Sequence, residues 1–376
     1  MNKITRLPFL IIILIFILLM AGCGNPEEHK AVISKNADNS QMATMPSQDV
    51  EAIWESGKLI VHYIDIGQGD AELLQLPNGQ NMLIDAGTNA ASANLVAYLN
   101  RQEIKKIDYL VATHPHEDHI GGMDNVIQGF NIGSIYMPRV TTTTKSFEDV
   151  VDSIKAKGLK ITPGKAGMTI LNEDGLEISF LAPGGTFYED LNNWSIVTRI
   201  QFGNTSFLFT GDAEDLSENE MRRAGANLKA DVLKIAHHGS YSSTSVDFLR
   251  AVAPRYAVIP VAADNDYGHP HQITINKLNA AGVGIFRTDH NGTVIISSDG
   301  KELSLSTAKM DFQSSETAVD LSIPLSSPGG YIGNKNSKVF HLPICNGLPA
   351  RKNRINFTIR DEALNQGYSP CGNCKP

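Results

Sequence analysis

The chain has 376 residues, of which 42% are hydrophobic and 19% charged, with a formal net charge of −8. That length predicts two domains plus linkers, with ample apolar material for a core, and the acidity excludes a global basic field that draws in nucleic acid. The charge is uneven: residues 329–376 hold seven Lys and Arg against Asp361 and Glu362, a surplus of +5 that leaves −13 elsewhere. A basic tail on an acidic body predicts that the two parts meet different partners.

Lys3 and Arg6 precede an almost wholly apolar run from Leu7 to Met20, and Ala21-Gly22-Cys23 follows at once. This is the pattern of an export signal. Small residues directly before Cys23 resemble a bacterial lipobox, in which the cysteine is lipidated, with Met20 where Leu is usual. An uncleaved anchor and an ordinary signal peptide are the alternatives; the run is shorter than the ~20 residues of a spanning helix. All three place the body outside the cytoplasm, and two of them tether it to a membrane. Residues 1–23 are therefore assigned as signal. Residues 24–57, polar and without periodicity, form a flexible linker.

From Leu59 to Asp65 the pattern predicts a strand, then a tight turn at Gly67-Gln68-Gly69-Asp70 and a second strand to Leu76. The amides of that Gly-rich turn, with Gln68 and Asp70, can face a phosphate. Pro77-Asn78-Gly79 signals a hairpin. Met82 to Asp85 is a further strand, and 92–103 a helix.

Tyr109 to Ala112 is a short apolar strand that ends in His114, His116, Asp118 and His119. Imidazoles with a carboxylate suit zinc, or a similar divalent ion, better than calcium or magnesium. His114 and His116 point the same way on extended backbone, so two neighbouring nitrogens can take one ion. Asp118 and His119 follow as the chain turns and can face a second. Gly121-Gly122 is expected to allow a tight turn into a helix.

The second half repeats the theme. Strands are predicted at 132–137, 168–171, 176–181, 195–202 and 205–210, the last ending in Gly211-Asp212. A strand from Asp231 to Ala236 ends in His237-His238, another from Tyr256 to Val261 precedes His269-Pro270-His271, and two more lie near 283–287 and 293–297. Helices are expected over 146–157, 215–225, 245–252 and 273–281. Hairpins followed by strand–helix alternation, occurring twice, predict an α/β four-layer sandwich with ligand loops converging at strand ends. Residues 58–308 form this domain, and 309–328, rich in Ser, Thr and Pro, a second linker. His269 and His271, in a Gly/Pro loop, are expected to rim the crevice and contact a substrate phosphate or leaving group.

Asp65 to Asp70, Ile84 to Gly87, Thr113 to Gly122, Asn193 to Ser195, Phe209 to Asp212, Leu233 to Ser240 and Asn265 to His271 together resemble the metallo-β-lactamase superfamily. The nearest likeness is to the hydrolase-like domain of the ComEC-like competence branch. The resemblance assigns His114 and His116 to one metal, Asp118 and His119 to a second, and Asp212 to both. It assigns His238 as the distal ligand, with His237 supporting it or replacing it. Asp85 would brace the metal loop. The middle histidine of the superfamily is absent, with Asn193 in its region, able to orient substrate or ligate through its carbonyl. One or two zinc or manganese ions are thus expected, serving a hydrolase in which Asp118 orients the attacking water and takes its proton. By this resemblance the substrate is a phosphodiester, DNA first. A small or surface phosphoester, such as phosphocholine, and a non-catalytic DNA-binding lipoprotein are the alternatives.

In the tail, His341, Cys345, Cys371 and Cys374 make a four-ligand group for a structural zinc, with a Cys371–Cys374 disulfide as the alternative. About 48 residues are too few for a core without such a staple. Residues 329–376 resemble the Ada-type zinc-binding domain. His341 stands where the methyl-accepting cysteine of repair members lies, so the resemblance implies a zinc-stapled module touching DNA and not a methyl acceptor.

Overall fold

A computed structural model describes Glu55 and residues 57–309, 331–341, 345, 347–357 and 360–372. The expected signal with Cys23, nearly all of the first linker, the second linker beyond Lys309, and Cys374 lie outside the described residues.

β1 (Leu59–Tyr63), β2 (Glu72–Gln75) and β3 (Asn81–Ile84) are antiparallel neighbours joined by short turns. β4 (Lys106–Val111), β5 (Asn131–Met137) and β6 (Ile161–Pro163) continue the sheet in parallel. Parallel pairing needs crossovers, and α1 (Ser92–Arg101), α2 (Glu117–Ile120), α3 (Met123–Gly129) and α4 (Lys145–Ala156) supply them.

The second sheet begins with antiparallel β7 (Met168–Glu173), β8 (Leu176–Ala182), β9 (Val197–Phe202) and β10 (Thr205–Phe209). Parallel β11 (Val232–Lys234), β12 (Tyr256–Ile259) and β13 (Gly284–Arg287) extend it. They are connected through α5 (Asp215–Arg223), α6 (Val246–Val252) and α7 (Gln272–Ala280). β14 (Val294–Ser298) and β15 (Leu303–Thr307) then return to the first sheet beside β1. The strand orders are β15-β14-β1-β2-β3-β4-β5-β6 and β13-β12-β11-β10-β9-β8-β7.

Alternation decides which face each side chain takes. Leu59, Val61 and Tyr63 of β1 join Ile178, Phe180, Phe207 and Phe209 in one buried cluster between the sheets. Tyr63 and Phe209 stack across that interface, with ring centroids 5.8 Å apart. The outer face of the first sheet packs on Leu95, Leu99, Val126 and Ile154 of its helices. The outer face of the second packs on Met221, Phe248, Leu249 and Leu278. The result is an α/β four-layer sandwich. Each fully buried Leu, Val or Phe contributes about 1.5–3 kcal/mol.

α1, α4, α5, α6 and α7 lie within two residues of their expected bounds. Within residues 57–309 the two unexpected strands, β6 and β15, are sheet edges. β6 is short and exposed, and β15 is half-buried and polar on alternate residues. Edge strands kept short or polar avoid pairing with other chains, which weakens their pattern in the sequence.

In the tail, β16 (Tyr331–Asn334), β17 (Val339–His341), β18 (Arg354–Phe357) and β19 (Ser369–Pro370) form a sheet of order β18-β16-β17-β19. Its core is small: Phe340, Phe357, Ala363 and Tyr368, with Tyr331 and Ile355 against them.

Candidate metal centre

The C-terminal ends of the parallel strands and the end of β10 bring the polar residues of both sheets together. Asp118, His119, Asp212 and His238 each offer a ligand atom, all within 4.8 Å of one another. His119 Nε2 lies 3.2 Å from Asp212 Oδ1 and 3.9 Å from Asp118 Oδ2. His238 Nε2 lies 3.2 Å from Asp118 Oδ2 and 4.0 Å from Asp212 Oδ2.

Both imidazoles are aimed from behind. His119 Nδ1 donates to Asp85 Oδ2 at 2.8 Å, and His238 Nδ1 to the carbonyl of Pro260 at 2.9 Å. Either bond fixes the tautomer and leaves Nε2 free to face the cluster. His119 Nε2 and Asp212 Oδ1 are buried and, despite their proximity, make no well-formed hydrogen bond. Converging, unpartnered nitrogen and oxygen atoms are what a divalent ion needs. The electrostatics agree. Burial alone would lower the His119 and His238 pKa values, but the surrounding carboxylates raise both, His238 to about 10. A cation at this place would take over the charge those protons balance.

Asp85 is fully buried and accepts from Thr113 N and Thr113 Oγ1, both at 2.7 Å, as well as from His119. Ser195 was not anticipated: its hydroxyl accepts from Asp212 N at 3.0 Å and lies 3.4 Å from His114 Nδ1. Gly69 is required where the β1–β2 turn passes under the cluster. Its φ is +136°, and a Cβ would come within 2.4 Å of the Asp118 carbonyl. Gly121 and Gly122 serve a purpose other than the expected turn, since both have right-handed helical backbone. Cβ atoms there would lie 2.3 Å from Asn89 N and 2.4 Å from Ala86 O, so close approach is the reason for glycine.

His114 is fully buried, and its Nε2 lies 2.9 Å from His116 Nδ1 and 3.9 Å from Asp212 Oδ2. Asn193 points elsewhere than expected: it is buried, and its side-chain oxygen accepts from Ser217 N in the first turn of α5. Gln68 accepts from Ala262 N at 3.3 Å. His271 accepts from Tyr241 N at the start of α7. His269 sits over the histidine pair, 5.4 Å from His237 and 6.2 Å from His238 between ring centroids. Burial, with those two rings beside it, lowers its pKa to about 3, and its Nδ1 has no partner. Outward from His269, Tyr267 stacks on it at 5.6 Å, and His271 leads to Tyr241 at 5.0 Å.

Asp70 departs from its expected place. It faces no crevice but is fully buried beneath the cluster, ion-paired to Lys234 and 3.4 Å from His238 Nδ1. Lys234 also donates to Gly211 O at 2.9 Å and lies 4.0 Å from Asp212 Oδ1. Glu72 adds a buried carboxyl whose pKa burial and Asp70 push well above the usual range. This layer was missed in the sequence. Its signal was there: a lysine inside the apolar run Val232-Leu233-Lys234-Ile235.

In the tail, His341, Cys345 and Cys371 are buried and bring ligand atoms within 4.8 Å of one another. His341 Nδ1 lies 3.3 Å from Cys345 Sγ. Three such donors around a core this small fit a structural zinc. Part of the basic surplus is used internally: Lys338 lies 4.4 Å over the Tyr368 ring, and Arg354 donates to Pro349 O.

A four-layer sandwich with histidine and aspartate ligands gathered at its strand ends defines a metal-dependent hydrolase. Residues 64–263 match the metallo-β-lactamase superfamily, and the chain belongs to it. Residues 330–376 match the metal binding domain of Ada. Among curated proteins the chain is similar to ComE operon protein 3 of Bacillus subtilis, at 31% identity over 62% of this chain and 32% of that protein. It is also similar to competence protein ComA of Neisseria gonorrhoeae, at 31% over 67% and 34%, and to recombination protein 2 of Haemophilus influenzae, at 28% over 67% and 30%. The chain thus spans about a third of the length of these relatives, which place it in the ComEC-like competence branch. Among the described residues no helix is long and apolar enough to cross a membrane.

Proposed function

We propose that the chain is a metal-dependent phosphodiesterase acting on DNA, held outside the cytoplasm by a lipid on Cys23. Asp118, His119, Asp212 and His238 would hold an ion, with His114 and His116 beside it. When bound, a divalent ion supplies Lewis acidity and lowers the pKa of water from ~15.7 toward ~7. The Asp118 side chain is 28% exposed while those of His119, Asp212 and His238 are buried. It is therefore the group placed to orient an attacking water and accept its proton. His269, half-buried beside His237 and His238 with its Nδ1 turned inward, can offer its other ring nitrogen to a phosphoryl or leaving oxygen.

The observation that favours DNA over a small phosphoester is the run of rings leading out of the crevice. From His238 it passes through His269 to Tyr267, which is 65% exposed, and through His271 to Tyr241, which is 40% exposed. Aromatic platforms beside a phosphate-cleaving centre suit unstacked bases, worth ~1–3 kcal/mol each. The competence and recombination names of the relatives point the same way.

The test uses the full chain, loaded with zinc or manganese, against single-stranded DNA, duplex DNA and a bis-aryl phosphodiester. Tyr267→Ala is expected to raise KM for single-stranded DNA about 5- to 100-fold and to leave the aryl diester unaffected. Cleavage of the aryl diester alone would shift the reading to a small phosphoester. DNA binding without any cleavage would leave only a binding protein.

A further inference from the structure

We infer that His237 is the third nitrogen ligand of the ion on His114 and His116, so that the two consecutive histidines serve different ions. The inference rests on the metallo-hydrolase reading and concerns how many ions that crevice holds.

With a shared Asp212 oxygen, His114 and His116 make three protein ligands, one short of a closed tetrahedral set. The 191–194 turn, where the superfamily's middle histidine is expected, supplies none. Asn193 is committed to α5, and Asn192 Nδ2 donates to Glu214 Oε1 at 3.5 Å, the carboxylate behind His237. That turn supports His237 instead of replacing it.

His237 is placed for the task. Its Nε2 lies 3.8 Å from Asp212 Oδ2, the oxygen that His114 Nε2 approaches at 3.9 Å. The other oxygen, Oδ1, faces His119. Asp212 thus presents Oδ1 to His119 and Oδ2 to His114, His237 and, at 4.0 Å, His238, so its carboxylate lies between the two sets of histidines, where one shared by two ions would stand. Behind the ring, His237 Nδ1 lies 3.4 Å from Glu214 Oε1 and 3.4 Å from Ser242 Oγ. Asp85 stands in the same relation to His119. A carboxylate behind an imidazole is the common way to aim a ligating nitrogen.

The backbone supplies an independent argument. His237 and His238 have φ values of +52° and +51°. Left-handed backbone costs a residue with a Cβ about 1–2 kcal/mol, and here it is paid twice in succession. On extended backbone, neighbouring side chains would point to opposite faces of the sheet. The left-handed pair instead turns both rings into one crevice, their centroids 6.3 Å apart. A single ligand would not require both residues to be strained.

The experiment measures zinc per chain by plasma mass spectrometry in the full-length protein, reconstituted with zinc and dialysed. His237→Gly removes the imidazole and relieves the left-handed strain, so folding is not at risk from the backbone. It is expected to hold one zinc fewer per chain than the unsubstituted protein. His237→Asp, which restores a ligating oxygen, is expected to regain that zinc. Equal zinc in all three chains overturns the assignment. Asp212→Asn then separates the two readings: lower zinc leaves a one-ion hydrolase standing, whereas unchanged zinc removes the hydrolase reading as well.

Discussion

Lys234 provides a direct test of the layer beneath the site. Its ammonium pairs with Asp70, donates to Gly211 O at 2.9 Å and lies 4.0 Å from Asp212, and both Lys234 and Asp70 side chains are 1% exposed. Lys234→Met keeps the stem and deletes the charge, leaving Asp70 buried without its strongest partner. Breaking a buried pair from one side costs about 3–5 kcal/mol, because the surviving charge stays desolvated. With a urea m-value of about 3 kcal/mol/M for a domain this large, the midpoint should fall by roughly 1–1.7 M. Urea unfolding is to be followed in excess chelator, so that ion binding does not mask the loss. Asp70→Asn added to Lys234→Met should recover much of the loss, giving a coupling of about 2 kcal/mol or more. A loss below about 1 kcal/mol, or strictly additive single effects, would refute the reasoning.

Asp85→Asn should weaken ion binding about 10- to 100-fold, since a carboxamide cannot accept from both His119 and Thr113 as the carboxylate does; unchanged affinity in an indicator competition would count against that role. His62 is fully buried between Tyr98 OH at 2.8 Å and Gln75 Oε1 at 3.0 Å, and burial lowers its pKa to about 4. The folded state thus resists protonation that the unfolded chain accepts below pH 6.5. Stability should fall by about 3 kcal/mol between pH 6.5 and 4, and no further from this group below that. His62→Leu should flatten that interval, and an unaltered slope would refute the assignment. Phe209→Ala, which removes the ring stacked on Tyr63 between the sheets, should cost about 3–5 kcal/mol, read from the urea midpoint. Cys345→Ser should accelerate amide exchange across the tail sheet while the 57–309 domain keeps its protection; equal protection in both proteins would show that the small core needs no zinc.

The layers were legible because their causes are local. Apolar runs such as Tyr109 to Ala112 and Leu233 to Ile235, ended by histidines, mark strands that stop at a site, and 3.6-residue periodicity marks the helices. The candidate cluster was legible for the same reason: His114, His116, Asp118 and His119 lie on one turn, and Asp212 and His238 each follow a strand. What sequence could not show is direction. Gln68, Asp70 and Asn193 are polar residues in turns, where exposure is the ordinary expectation, yet the fold turns Asp70 inward to Lys234 and Asn193 to α5. Ser195 and Glu214 act through contacts more than fifteen residues away in the chain, which no local pattern encodes. The His237–His238 pair is ambiguous in the sequence because the left-handed backbone that turns both rings into one crevice has no local signature.

Charge explains how an acidic protein could draw a phosphodiester into this crevice. Asp70, Asp85, Asp118 and Asp212 surround the cluster, and the neighbouring fixed cation is Lys234, already paired to Asp70. Such a pocket repels phosphate and attracts divalent cations, whose charge then offsets the local potential. Affinity for the ion and affinity for an anionic substrate are therefore linked through the same carboxylates. One ion would leave the carboxylates, Glu214 among them, in clear surplus, and a second would bring the crevice close to neutral. A one-ion His237→Gly chain should accordingly lose affinity for a phosphodiester most at low salt, the deficit shrinking as salt rises, whereas the loss of a rim variant persists at high salt, because stacking is screened far less than charge. Equal losses for the two variants across a salt series would separate substrate binding from ion number and refute the link.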